Sequence, residues 1–439
     1  MRDADAEHCS AEIGDWQRAA CRAAIFSRQS SADFAFVGWD SVPTRLEVGT
    51  ESQPTVAYLL PRKAAMTTPA FIFDVHLDLS MNALEWNRDL RWTQEKIRRW
   101  EQHMKDKVDR GNATVCFPEM RRGNIGLCVA TQIGRFSPYF HRLPGWSSPE
   151  QAWAQTQGQL AWYRAMEEAG ELVQIRTKAQ LDAHLDLWLK SPPCDDGTPY
   201  VVESRKKPTH RPIGYILSLE GADSIITLKH LERSYNDGLR ALGPAHYGPG
   251  RYAFGTDTDE PLSPRGMDLL KEMQRLGIIL DVTHLCDSAF WDAIDCYDGP
   301  LWASHQNCRT LAPWNRQFAD DQIKAVIERG GVLGMAFDAI MMIPGWTHLR
   351  SKPADFQLKI ERICEHVDHI CQMAGNAKHV GIGTDLDGGY GTEQTPMDMN
   401  SIADLQSLPG LLKSRGYTPE DIDGIMHRNF VDFLRRTWK

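Results

Sequence analysis

Eight short apolar runs, separated mostly by helix-like stretches, constrain the fold of this chain more than any other feature. They span 71–75, 125–131, 213–219, 241–246, 277–283, 300–304, 331–337 and 379–384. Helical patterns occupy 85–108, 149–169, 227–240, 263–276, 320–329 and 354–374. Strands joined through helices pair in parallel, because right-handed βαβ crossovers permit little else. Eight such units predict an α/β fold, a (β/α)8 TIM barrel. Helix starts are marked chemically: Ser148-Pro149-Glu150-Gln151 supplies an N-cap, Pro at the first helical position and Gln at the third, and Ser263-Pro264 repeats the start. Gly277 and Gly330-Gly331 mark helix ends. The fourth run is the least regular, being interrupted by Gly243-Pro244. The longest insertion, 132–212, includes a stretch, 191–212, that reads as an exposed loop, and 401–436 reads as two closing helices.

The ends of these runs carry the chemistry. His76, Asp78, Glu220, His284, His305 and Asp385 each follow or close one of them, in FIFDVHLD, IGYILSLEG, GIILDVTH, LWASH and HVGIGTDLDGG. In a barrel of this kind, functional groups gather at the C-terminal ends of the strands. His76 and Asp78 are two apart in extended chain and leave the same face. Three imidazoles and three carboxylates exceed the needs of one tetrahedral ion. They suit two divalent metals about 3.5–4 Å apart, and the mixed N/O set fits zinc best. A metal-dependent hydrolase is the expectation. Asp281 reads either as support behind the ligands or as a capping or solvated carboxylate, and Asp387 as a residue shaping the DLDGG turn. His366 and His369, three apart in a helical segment, read as surface or boundary residues.

The bulk numbers exclude several classes. A formal charge of −9, with no basic run, argues against a nucleic-acid partner. No apolar stretch approaches the roughly 18–20 residues of a membrane span. The N-terminus lacks the basic start and apolar core of a signal peptide, so the cytoplasm is the expected compartment. The ten cysteines form no CxxC pair and read as free thiols, with Cys286 and Cys308 as packing residues. Residues 1–65 differ from the rest, with helix-like pieces giving way to a polar, turn-rich stretch. They read as an N-terminal appendage, or an over-extension of the reading frame, ahead of a barrel domain at 66–439.

With their flanks, these residues resemble the membrane dipeptidase (renal dipeptidase) family, peptidase family M19 of the amidohydrolase superfamily, from about Phe71 to Phe433. The likeness is carried by Asp74-Val75-His76-Leu77-Asp78-Leu79, Ser218-Leu219-Glu220-Gly221, Leu262-Ser263-Pro264-Arg265-Gly266, Asp281-Val282-Thr283-His284, Ala303-Ser304-His305 and Gly383-Thr384-Asp385-Leu386-Asp387-Gly388. The resemblance implies a zinc-dependent dipeptidase with two ions per chain and a metal-bridging hydroxide, accepting in some members a D-residue at the C-terminal position. It implies that His76 and Asp78 bind one ion, Glu220 bridges, His284 and His305 hold the second, and Asp385 contacts the first and carries the proton. It adds His246 as the group polarising the scissile carbonyl and Arg316, in preference to Arg309, as the grip on the substrate carboxylate. A homodimer is implied by the family only. No leader or lipid-anchor signal is read, so the membrane attachment that names the family is not expected here, and the insertion at 132–212 looks more like bacterial branches. Alternatives are another amidohydrolase activity, such as N-acyl amino acid deacylation or lactam hydrolysis, and an inactive metal-binding homologue.

Overall fold

The computed structural model describes residues 69–137, 144–190 and 210–438. Nine parallel strands form one sheet: β1 (Ile72–Leu77), β2 (Ile125–Ile133), β3 (Leu172–Gln174), β4 (Ile213–Glu220), β5 (Leu239–Gly243), β6 (Ile279–Asp281), β7 (Leu301–Trp302), β8 (Leu333–Met335) and β9 (Val380–Ile382). Eight of them run in the order β7-β6-β5-β4-β2-β1-β9-β8, and an Ala303–Leu333 bridge joins the two ends into a barrel. The (β/α)8 expectation is met. The ninth, β3, pairs with the first half of β4 and lies off the ring. It sits in the 132–212 insertion, between helices Pro149–Glu168 and Lys178–Leu189, and three residues are too few to leave a periodic signal. The proposed loop at 191–212 falls almost wholly outside the described residues, as does the appendage.

Both faces of a barrel strand are covered, by helices outside and core inside, so the strands read as unbroken apolar runs. All six residues of β1 and all eight of β4 are buried. The final helix, Asn429–Thr437, packs beneath the ring. Phe430 meets Phe73 at 6.0 Å and Trp302 at 5.8 Å between ring centroids. Gly381 makes this possible, since a Cβ there would lie 2.6 Å from the Phe430 ring. The N-caps form as expected: Ser148 accepts the Gln151 N–H, and Ser263 that of Gly266, each at 3.2 Å.

Three expectations are corrected. Of the helix expected over 85–108 only Gln94–Glu101 forms, and a short helix, Leu79–Leu84, stands before it. Arg88 turns inward between them, donating to Glu101, Asp109 and Asn82 while fully buried. The charged residues of this segment form a buried ion network instead of a continuous helix. The fourth run ends at Gly243, because Pro244 has no N–H to continue the ladder. The C-terminal 401–436 contains a 3-10 turn (Ile402–Ser407), helices Leu408–Ser414 and Pro419–Asp423, and a π-turn (Gly424–Arg428) leading into the last helix.

Candidate metal centre

Every strand of the ring delivers a polar side chain to one rim. His76 lies within β1 and Asp78 one residue beyond it, while Glu220 closes β4. His246, His284, His305 and Asp385 each lie three residues past β5, β6, β7 and β9. All six residues named as metal-capable converge. His76 Nε2 stands 3.9 Å from Asp78, 3.6 Å from Glu220 and 3.7 Å from Asp385. On the other side of Glu220 Oε1 are His284 Nε2 at 3.3 Å and His305 Nε2 at 3.5 Å. The Nε2 atoms of His284 and His305 face each other at 3.1 Å. His246 joins through Nε2, 3.9 Å from Glu220 Oε2.

The donor set fits divalent cations. Three groups have ligand atoms close enough to share an ion: His76–Glu220–His305, Glu220–His246–His284 and His76–Asp78–Asp385. Glu220 belongs to two of these and His76 to two, so neighbouring positions share ligands. His76 Nε2 is buried without a hydrogen-bond partner, an arrangement that is costly unless a ligand completes it. Burial, reinforced by the Arg316 charge, lowers the His76 pKa to about 3. Burial first, then neighbouring cationic groups, pushes His246, His284 and His305 well below the usual imidazole range. Neutral imidazole is the metal-binding form. Burial raises Asp78 to about 6 against the Thr131 hydrogen bond. It pushes Glu220 and Asp385 well above the carboxylate range, with mutual repulsion adding to it. Crowded carboxylates among uncharged imidazoles are stabilised by a bound cation, whose charge reverses the local balance.

A second layer orients the first. Ser304 Oγ stands 2.9 Å from His305 Nδ1 and 3.3 Å from His76 Nδ1, and Thr256 Oγ stands 3.0 Å from His284 Nδ1. Thr131 Oγ donates to Asp78. Asp281 is buried and accepts the N–H groups of Thr283 and Ser304, which favours the supporting reading over the solvated one. Asp387 accepts from Thr114 and Val115 and stands 3.5 Å from Arg88, tying the DLDG turn to the distant loop ahead of helix Phe117–Arg122. Arg316 is buried behind His305. Its guanidinium donates to Gln306 Oε1 at 2.7 Å and to the His305 carbonyl at 3.0 Å. Arg309 instead points outward, paired with Asp287 at 2.7 Å.

Two other readings meet the structure differently. Cys286 and Cys308 are buried free thiols, as expected. His366 is not a surface residue. It is fully buried, its Nδ1 accepting the Cys308 N–H at 3.1 Å and its Nε2 donating to the Met342 carbonyl at 3.0 Å. An amphipathic helix with a His on its inner face leaves no sequence sign of which backbone groups that His will satisfy. His369, on the same helix, is half-buried and pairs with Asp320 at 2.8 Å. Sequence reasoning also missed Arg135, two residues past β2, which donates to His246 Nδ1. It missed Asp338, three past β8 and nine-tenths buried. Both obey the rule that found the others, a polar residue just beyond an apolar run.

The profile of the membrane dipeptidase family (peptidase family M19) matches residues 62–438. The chain belongs to this family. It is an enzyme of the metallopeptidase class, and the resemblance read from the rim motifs holds over the whole barrel. A protein from the pqqA 5′ region of Klebsiella pneumoniae is 30% identical over 220 residues, 48% of this chain and 77% of that one. A dipeptidase of Claviceps purpurea, tcpJ, is 28% identical over 214 residues, 48% of this chain but 44% of its own length. Among solved structures, the M19 metallopeptidase dipeptidase AC superposes with a TM-score of 0.66 at 25% identity, covering 84% of this chain and 99% of that one. A metallopeptidase from Rhodobacter sphaeroides, solved with a phosphinate mimic of the dipeptide L-Ala-D-Ala, shares the fold with a TM-score of 0.66 at 22% identity over 84% of this chain and all of its own. Among the described residues no helix is long and apolar enough to cross a membrane.

Proposed function

We propose that this enzyme hydrolyses the peptide bond of dipeptides, L-X-D-X dipeptides included, with two zinc ions held by His76, Asp78, Glu220, His284, His305 and Asp385. The observation that carries the reading is the convergence of these six side chains, from five different strands, about Glu220 and a buried His76 whose Nε2 has no hydrogen-bond partner. When bound, the ions supply an activated water and polarise the carbonyl. The protein's own groups do the rest. Arg316 grips the free carboxylate of the substrate. Its bonds to Gln306 and the His305 carbonyl fix the guanidinium plane, and the fork suits a carboxylate bidentately. A fixed carboxylate site next to the reacting centre restricts substrates to short peptides. His246 Nε2 donates to the oxyanion as it develops, the electrostatic contribution that is usually largest. Asp385 takes a proton from the attacking water and returns it to the leaving amine. Burial beside Asp78 and Glu220 raises its proton affinity, the property such a carrier needs.

The L-Ala-D-Ala mimic bound by the Rhodobacter protein supports trying the same dipeptide here. The test is a panel of L,L and L,D dipeptides beside N-acyl amino acids and lactams, with metal content measured in parallel. Turnover of dipeptides above the other classes supports the proposal. Preference for N-acyl substrates or lactams shifts it to those activities, and bound zinc without turnover of any class identifies an inactive homologue. Asp385→Asn is expected to lose at least about 100-fold in kcat, the scale of general acid–base help, while zinc stays bound. Near-normal turnover would remove Asp385 from the proton path.

A further inference from the structure

The four imidazoles at the rim, His76, His246, His284 and His305, are held differently at their rear nitrogens. Behind His284 stands the Thr256 hydroxyl at 3.0 Å, and behind His305 and His76 the Ser304 hydroxyl at 2.9 and 3.3 Å. A hydroxyl can accept a hydrogen bond from Nδ1–H, which leaves the Nε2 lone pair facing the centre and available to a metal. Behind His246 stands the Arg135 guanidinium, contacting Nδ1 through NH2. A guanidinium has five N–H donors and no acceptor. The Nδ1 atom of His246 must therefore be the lone-pair nitrogen, and the proton of the neutral ring must sit on Nε2. That Nε2 is the atom facing Glu220 Oε2, 3.9 Å away. A protonated Nε2 donates; it cannot ligate.

We propose that Arg135 is a positioning residue of the reaction: by donating to His246 Nδ1 it fixes the proton on Nε2, making His246 a hydrogen-bond donor to the substrate carbonyl and withholding it from the metal. On distance alone, Glu220, His246 and His284 could share an ion; the Arg135 contact separates His246 from the other two. Both partners are held in place. Arg135 NH1 donates to the Pro144 carbonyl at 2.7 Å, and its Nε is enclosed without a partner. The His246 carbonyl accepts the Thr256 N–H at 3.0 Å, and Gly255 packs so closely that a Cβ there would lie 1.7 Å from the same oxygen. The backbone that carries the ring is thereby fixed. The inference rests on the dipeptidase reading for its catalytic consequence, but the tautomer itself does not depend on which substrate is cleaved.

Two measurements test it separately. The first is long-range 1H–15N correlation on protein labelled at histidine nitrogens, with the His246 signals identified by their loss in His246→Asn. The wild type should give the Nε2–H tautomer, with and without zinc, and Arg135→Met should lose that fixed state. A Nδ1–H tautomer in the wild type, or a His246 Nε2 resonance that moves on zinc loading as the His284 and His305 resonances do, overturns the proposal whatever the enzyme hydrolyses. The second uses L-Ala-D-Ala. Arg135→Met should lower kcat by about 100-fold, the scale of removing one oxyanion donor, with KM changed less than about threefold and zinc content unchanged. Arg135→Lys, which keeps a donor, should recover most of the loss. A loss confined to KM, or no recovery with Lys, overturns the positioning role. Absence of wild-type turnover refutes the dipeptidase reading alone, and the tautomer is still decided by the first measurement.

Discussion

His366 gives the fold an acid sensitivity whose size follows from its surroundings. The ring is buried and uncharged, Nδ1 accepting the Cys308 N–H and Nε2 donating to the Met342 carbonyl. Protonating Nδ1 would set a donor against a donor, in a site already closed to water. Burial is the main cause that lowers its pKa from 6.5 to about 4, partly opposed by the Met342 hydrogen bond. The unfolded chain then binds this proton near pH 6.5 while the folded one refuses it until about pH 4. The stability this group contributes is complete above pH 6.5 and is lost as pH falls toward 4. At about 1.4 kcal/mol per pH unit, the decline between pH 7.5 and 5.0 is on the order of 2 kcal/mol. Other groups titrate over the same range, so the assay is a difference. Urea unfolding of wild type and His366→Gln is compared at both pH values with equal metal content. Gln is less stable at pH 7.5, because the Cys308 N–H loses its acceptor, but its stability should fall by about 2 kcal/mol less on acidification. Equal falls in the two proteins would refute the argument.

Three further outcomes follow from the same structure. Chelation should lower Tm, and zinc at about 1,000 times its Kd should restore about 4 kcal/mol, read by calorimetry; an unchanged Tm would mean that the rim is not a metal centre. Gly383→Ala puts a Cβ 1.8 Å from the Ser304 carbonyl oxygen, so the backbone behind His305 and His76 must move. The expected loss is about 3 kcal/mol in urea unfolding, the upper range for overpacking, with weaker zinc binding in the same protein. Arg88→Met leaves Asp109 and Asp387 buried without their cation and Glu101 with Arg110 alone, and should cost about 3–5 kcal/mol by the same measurement.

What the sequence discloses, and what it hides, divides along physical lines. Buried parallel strands must be apolar on both faces, so their polar terminators stand out, and His76, Glu220, His284, His305 and Asp385 are legible without any structure. Strand lengths are not: β7 has two residues and β6, β8 and β9 three each, because the apolar run continues past the last ladder bond. Buried polar groups are the least legible. Arg88 and His366 have ordinary neighbours in sequence, and only the fold brings Asp387 to one and the Cys308 N–H to the other. Arg135 hides for a different reason. Its partner His246 is 111 residues away in the chain, and an Arg after a strand has many uses.

The rim is also held under strain that other groups offset. His284 and Asp385 lie in the left-handed backbone region, at φ 69° and 59°, where non-glycine residues cost on the order of 1–3 kcal/mol each. Next to each, a buried aspartate laces the rim to a neighbouring strand. Asp74, on β1, accepts the N–H of His76 and both N–H and Oγ–H of Thr384, which immediately precedes Asp385. Asp281, on β6, accepts the N–H groups of Thr283 and Ser304, which immediately precede His284 and His305. One carboxylate therefore fixes the approach to a residue of each strand at once, across the seams β1–β9 and β6–β7. Hydrogen bonds to a charged acceptor are stronger than neutral ones, which is how a loop can keep an unfavourable φ. The geometry of the rim therefore depends on these two aspartates as well as on the residues that converge there.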